Sequence, residues 1–260
     1  MAKCSFCGED KKLTKEHIWS NTLLRLFDPI APLTIDEHRG IAHRGDPLLK
    51  DLCQECNGKM SPTDAAMRAF AEQHLTKPMA VGAKVEFSDP NLLRWAMKTV
   101  SNHERSLNTG STWWQAHVGF FAGQGGDVSR VDLLLAPWED LSPGRVLTEM
   151  MGVLALGAKP MVLAGLCEFD AKTATQQTEA RWVLKVGSGV LALLVWRPDA
   201  SDEVRKAMLS ELRSYGWLLW GTDSAVTRIP FNEATCPQYH IPFHPEERDP
   251  VGQLKRLAEG

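Results

Sequence analysis

The sequence predicts an α+β protein in two parts: a small cysteine-stapled module over residues 1–78, then a mixed α+β body over residues 79–260 with a mainly antiparallel sheet. Three observations predict it. The cysteines near the N-terminus fall in two C-x-x-C pairs, Cys4/Cys7 and Cys53/Cys56, with 45 residues between the pairs. Apolar residues recur at helical spacing over 65–75 and again over 92–100, each run preceded by a helix-start signal. Beyond residue 112 the texture turns to extended apolar runs separated by glycine turns, the pattern of strands.

Taken in order, residues 13–18 begin Leu-Thr, end in Ile and suit a strand, and residues 19–26 suit one or two helical turns. Residues 28–46, with Pro29, Pro32, Gly40 and Gly45, read as a loop, long enough that a function or a folding partner is expected of it. After the second cysteine pair, Ser61 reads as an N-cap, Pro62 as the first helical residue and Asp64 as a first-turn acid. Ala66, Met67, Phe70, Ala71 and His74 continue that helix to about residue 75. Thr76-Lys77-Pro78 ends it, which places the boundary between the two parts at residues 77–83.

Ser88-Asp89-Pro90 opens a second helix with Leu92, Leu93, Trp95, Ala96, Met97 and Val100 on a broad apolar face. Strands are expected at 113–122, 131–136, 162–169, 181–186 and 190–196, the last two joined by a hairpin turn at Gly187-Ser188-Gly189. Residues 150–156 fit helix or strand. Ser201-Asp202-Glu203 caps a helix to about residue 215, residues 217–220 read as a strand, and the proline-rich tail from Asn232 reads as a surface wrap with a helical turn near 254–258.

Composition narrows the function classes. The chain has 260 residues, 43% of them apolar, enough for a real core, and a net charge of −3. The balance argues against a protein that packages nucleic acid through a global positive field, but not against an enzyme with a local basic patch. The apolar stretch 151–166 is broken by Gly157, Lys159 and Pro160, and 190–196 is too short to span a bilayer. Six cysteines are too sparse for a disulfide scaffold, and no secretory leader is visible. A cytoplasmic protein with reduced thiols is expected.

In that setting the two C-x-x-C pairs have a direct chemical reading. Zn²⁺ takes four soft ligands in a tetrahedron, and each C-x-x-C turn offers two thiolates at the right reach, so Cys4, Cys7, Cys53 and Cys56 form a candidate structural zinc site. Between the pairs stands the dipeptide Glu16-His17, and Asn57 follows the second pair directly. An imidazole titrates near neutral pH and can take a proton from water. A carboxylate and an amide oxygen are the donors that Mg²⁺ or Mn²⁺ prefers, so Glu16 and Asn57 are candidate ligands of a catalytic divalent ion. On a regular strand Glu16 and His17 point to opposite faces, and a twist or bulge is needed to bring both to one ion.

The order C-x-x-C, Glu-His-Ile, C-x-x-C-Asn and a Ser-x-x-Asp helix start resembles the HNH endonucleases of the ββα-metal class, over residues 1–76. The resemblance implies two strands and a helix clasping one divalent ion inside a four-cysteine zinc frame. It implies His17 as general base and Glu16 and Asn57 as metal ligands. The chain departs from that family's pattern in two places. The stretch before the second knuckle, 46–52, holds no asparagine, with Asp46 the candidate for that role, and Trp19-Ser20 stands where the family often has proline.

Lys15, Arg39, Arg44 and Lys59 are candidates for phosphate contacts, which position a duplex without reading its sequence. Seven of the nine tryptophans lie beyond residue 100, and they read as cross-strand core pairs rather than as a base-stacking surface. Cys236, His240 and His244 offer only three ligands among prolines and read as a surface loop, and Cys167 reads as a buried strand thiol.

The functional expectation is a metal-dependent endonuclease acting on DNA, with RNA also open as a substrate. By analogy with bacterial defence and mobile-element effectors, the body is expected to sense, recruit substrate or form a homodimer. A catalytically degenerate zinc module that binds nucleic acid or protein is the alternative, and a nuclease gated by a ligand of the body is the third reading.

Overall fold

The computed structural model describes residues 2–26, 33–36, 41–44, 48–77, 79–80, 82–137, 165–168, 177–214, 216–222 and 224–226. Helices are combined with antiparallel sheets throughout.

The N-terminal part is made of short ribbons. β1 (Ala2–Lys3) pairs with β2 (Asp10–Lys11), and β3 (Leu13–His17) runs into α1 (Asn21–Leu24). β4 (Leu33–Asp36) and β5 (Ile41–Arg44) form an antiparallel hairpin within the stretch expected to be a loop. Its prolines and glycines lie outside both strands, and inside them Thr34, Ile35 and Ile41 are β-favouring residues. β6 (Leu48–Cys53) then returns to pair with β3 and leads straight into α2 (Gln54–Lys59) and α3 (Ser61–His74).

Ser61 is the first helical residue of α3 rather than its cap. Met60 ends α2 and caps α3, and the Thr63 hydroxyl donates to the Met60 carbonyl at 2.7 Å. The joint is tight because Met60 is fully buried, so the chain turns about an apolar anchor instead of a polar cap.

β7 (Lys84–Val85) precedes α4 (Pro90–Leu107), the longest helix described. Asp89 caps α4 by accepting from Asn91 N at 2.8 Å, and Asn108 closes it in the left-handed conformation at φ 54°. Leu92, Leu93, Trp95, Ala96, Met97 and Val100 are all buried, as their spacing predicts, and each large side chain removed from water contributes roughly 1.5–3 kcal/mol.

Residues 113–122 do not form the expected strand. Trp113–His117 is a 3-10 turn and Val118–Phe121 a short helix, α5. Trp113, Trp114, Phe120 and Phe121 all point into the core, a crowding that helical turns achieve and an alternating strand cannot.

The body is organised on a five-stranded antiparallel sheet of order β12-β8-β11-β10-β9. Its strands are β8 (Val131–Pro137), β9 (Gly165–Glu168), β10 (Thr178–Val186), β11 (Gly189–Trp196) and β12 (Leu218–Leu219). Every residue of the central β11 is buried, because the sheet is covered on both faces. Leu133, Leu135, Leu184, Leu191 and Leu193 join the core shared with α3 and α4, while Leu134, Ala192, Leu194 and Trp196 pack under α6 (Asp202–Ser214) through Met208 and Leu212. Gly187, at φ 55°, turns β10 into β11. β13 (Ser224–Ala225) pairs back onto β7.

One contiguous core runs from Cys4, Ile18, Trp19 and Leu23 through Met67, Phe70 and Leu75 into α4 and the sheet, so the segments on either side of residue 78 share it. Three of the tryptophans end on buried carboxylates. Glu104 accepts from the indoles of Trp113 and Trp182 at 2.6 Å each, and Asp132 accepts from Trp196 at 2.7 Å while pairing with Arg205.

Among the described residues no helix is long and apolar enough to cross a membrane. The expectations for residues 150–156, the tail from Asn232 and the turn at 254–258 lie outside the described residues.

Candidate functional site

The two cysteine pairs come together. In the first knuckle, Cys4 N donates to Glu9 O at 3.0 Å and Gly8 N to Cys4 O at 2.9 Å, and Gly8, at φ 71°, reverses the chain. The second pair sits at a strand-to-helix joint: Cys53 is the last residue of β6 and Cys56 lies in the first turn of α2. All four sulfur atoms lie within 4.8 Å of one another. A tetrahedral ion with Zn–S bonds of about 2.3 Å sets its sulfurs about 3.8 Å apart, and Cys7 and Cys53 are 4.0 Å apart. The four cysteines could therefore hold a metal ion such as zinc.

Their protonation fits a cation site. Burial pushes the Cys4 thiol up, but backbone N–H groups of Cys7, Cys53 and Phe6 outweigh it and lower the thiol to about 6. The Cys53 N–H points at Cys4 Sγ from 3.3 Å. Burial raises Cys56, and the neighbouring Cys53 and Cys4 sulfurs raise it further. Crowded sulfurs resist sharing several negative charges, and a divalent ion relieves that repulsion.

Beside this cluster, β3 pairs with β6 in the register Leu13↔Cys53, Thr14↔Leu52, Glu16↔Leu49 and His17↔Leu48. The register slips between Thr14 and Glu16, so Lys15 faces both Lys50 and Asp51. The extra residue is thus on β6, and alternation along β3 assigns Thr14 and Glu16 to one face, Lys15 and His17 to the other. β3 ends at His17, whose carbonyl accepts from Asn102 Nδ2 at 3.3 Å. His17 is half-buried and Glu16 is buried.

Asn57, on α2, reaches the Thr14 face: its Nδ2 donates to Thr14 Oγ1 at 3.3 Å, and the Thr14 hydroxyl donates to Leu52 O at 3.0 Å. Thr14, Asn57 and Glu16 thus belong to one face of the β3–β6 ribbon, while alternation leaves His17 on the other, because the extra residue lies on β6 and not on β3.

Glu16 has a partner that the sequence reading did not anticipate. Lys98 of α4 places its Nζ 2.7 Å from Glu16 Oε1 and 2.9 Å from Asp64 Oδ2, with the lysine side chain only 3% exposed. One turn on, Asn102 holds the His17 carbonyl, and farther along Arg105 pairs with Asp51 at 2.7 Å. The Arg105 guanidinium also lies over the rings of Phe6, inside the first knuckle, and Trp114, at 5.1 and 4.9 Å from their centroids. Burial lowers the Arg105 pKa against the opposing pull of Asp51. Lys98, Asn102 and Arg105 recur at four- and three-residue spacing, which puts them on one helix face. That stripe was present in the sequence, but the apolar run around it drew the reading to packing alone.

Of the phosphate-contact candidates, Lys15 is exposed and Lys59 pairs with Glu55 at 3.1 Å on its own helix. Lys50, not singled out from sequence, is exposed opposite Lys15. Arg39 and Asp46 lie outside the described residues, as do Cys236, His240 and His244, and so do the side chains of Arg44 and Cys167.

Comparison with protein-family models, curated proteins and solved structures gives no match.

Proposed function

We propose that this chain is a metal-dependent endonuclease of the HNH type acting on DNA, with the four cysteines holding a structural Zn²⁺. The observation that supports it best is the joining of β3, β6 and α2: the strand bearing Glu16 and His17 is stapled by Cys53 and Cys56 and tied by Thr14 to Asn57. In this reading a divalent ion supplies charge stabilisation for the phosphodiester and its leaving oxygen. His17, half-buried at the last position of β3, takes the proton from the attacking water, a step that requires the strand end to turn its ring to the face of Glu16 and Asn57. Asn57 would hold the ion through Oδ1, since its Nδ2 is given to Thr14, and Glu16 is the second protein oxygen donor. Lys15 and Lys50, exposed side by side on the ribbon, contact backbone phosphates.

Mn²⁺ titration of the zinc-loaded full chain, followed by electron paramagnetic resonance, tests this reading. One Mn²⁺ site is expected at millimolar metal, lost in Asn57→Ala. Absence of any Mn²⁺ site, or a site indifferent to Asn57, rejects the metal assignment.

A second reading draws on the Lys98 contact. A carboxylate already neutralised by a buried ammonium suits a non-cleaving zinc module that binds nucleic acid or protein. It predicts zinc and no cleavage with any divalent ion.

A further inference from the structure

We propose that Lys98 is an internal competitor for the divalent ion: its ammonium fills the cation position between Glu16 and Asp64, and an ion reaches Glu16 only by displacing it. This inference rests on the reading of Glu16 as a metal ligand and adds to it a control exerted from outside the stapled module.

The geometry is that of a bound cation. Lys98 Nζ lies 2.7 Å from Glu16 Oε1 and 2.9 and 3.1 Å from the two oxygens of Asp64. An ammonium carries three donors, and three carboxylate oxygens stand around this one. The Glu16 side chain is 9% exposed and that of Asp64 24%. A buried carboxylate such as Glu16, with the half-buried Asp64 beside it, requires a positive partner, and removing it leaves an unfavourable site. The nearby Arg105 is paired directly with Asp51 and reaches Glu16 only as a longer-range charge. One ammonium therefore faces two carboxylates, and a divalent ion would match their charge where the lysine falls short by one.

Competition follows from shared ligands. Glu16 cannot give the same oxygen to the ammonium and to a metal ion at full strength, and two cations at one carboxylate pair repel. The lysine stem is flexible enough for its head to withdraw, while α4 itself is held by buried Trp95, Met97 and Val100. Metal affinity at Glu16 is then set by a residue of the body, so whatever shifts α4 against β3 changes the occupancy of the site.

The test is Mn²⁺ titration of zinc-loaded full-length chains, by electron paramagnetic resonance and by the Mn²⁺ dependence of Tm. Lys98→Met is expected to bind Mn²⁺ at least tenfold more tightly than the unchanged chain and to gain Tm on adding Mn²⁺. Lys98→Met with Glu16→Gln is expected to lose both gains. Should Lys98→Met be too unstable to isolate without metal, its rescue by Mn²⁺ during refolding gives the same reading. A Lys98→Met chain with unchanged Mn²⁺ affinity, or one that Mn²⁺ does not rescue, overturns the proposal, as does a gain that survives Glu16→Gln. If Lys98→Met gains Mn²⁺ yet no chain nicks DNA, the competition stands and the nuclease reading falls. If nicking depends on His17 while Lys98→Met gains nothing, the reverse holds.

Discussion

Asn57 Nδ2 lies 3.3 Å from Thr14 Oγ1, and the same hydroxyl is donated to the carbonyl of Leu52. One threonine thus fixes the amide that follows the second cysteine pair and closes a contact across β3 and β6. It does so two residues upstream of Glu16, on the face that Glu16 shares.

Thr14→Val removes the hydroxyl while keeping the β-branched shape that the strand favours. It leaves the Leu52 carbonyl and the Asn57 amide without that partner, and the expected cost is about 1 kcal/mol of stability. In the proposed mechanism the variant also loosens Asn57, so Mn²⁺ binding weakens severalfold. Urea unfolding and Mn²⁺ titration on one preparation check both effects. Unchanged metal affinity would show that the Thr14 contact does not position Asn57.

The clamp of Arg105 on Asp51, Phe6 and Trp114 ties α4 to the first knuckle. Its side chain is 8% exposed and that of Asp51 is 19%, so truncating the arginine strands a largely buried carboxylate. Arg105→Ala is expected to cost about 3 kcal/mol, read from the denaturation midpoint. Arg105→Ala with Asp51→Asn should recover part of that loss, because the unpaired charge is gone. Recovery would be absent if the ring contacts, rather than the ion pair, carried the stability.

Metal at the four cysteines should be coupled to pH. Cys56 is raised by burial and by its sulfur neighbours, so at neutral pH it holds its proton until a cation displaces it. Zinc binding therefore releases protons, and affinity falls as pH falls, about tenfold per pH unit for each proton released. Cys4, lowered to about 6, adds its own proton to the release only as the pH approaches and passes below that value. Calorimetry in buffers of different ionisation enthalpy counts the protons. Elemental analysis is expected to find about one zinc per chain, and Cys53→Ser or a strong chelator should remove it and unfold the ribbon around β3 and β6.

The sequence exposed what is local. The cysteine spacing, the Asp89 cap of α4, the apolar face from Leu92 to Val100 and the Gly187 hairpin each declare themselves within a few residues. Residues 113–122 misled because adjacent tryptophans favour strands in general, whereas here both rings of Trp113 and Trp114 must enter one core. The β4–β5 hairpin was hidden by the prolines and glycines around it. The Lys98, Asn102 and Arg105 stripe could not be given partners, because its contacts with Glu16, His17 and Asp51 arise only when α4 folds back on the N-terminal ribbon.

The central claim is that His17 moves a proton in phosphodiester cleavage. The most direct measurement is nicking of supercoiled plasmid by the zinc-loaded full chain in Mg²⁺ or Mn²⁺, with His17→Ala beside it and circular dichroism confirming that both are folded. The account predicts metal-dependent nicking by the unchanged chain and a loss of roughly 10²- to 10⁴-fold in His17→Ala. Equal nicking by the two folded chains would contradict it, and so would no nicking by either.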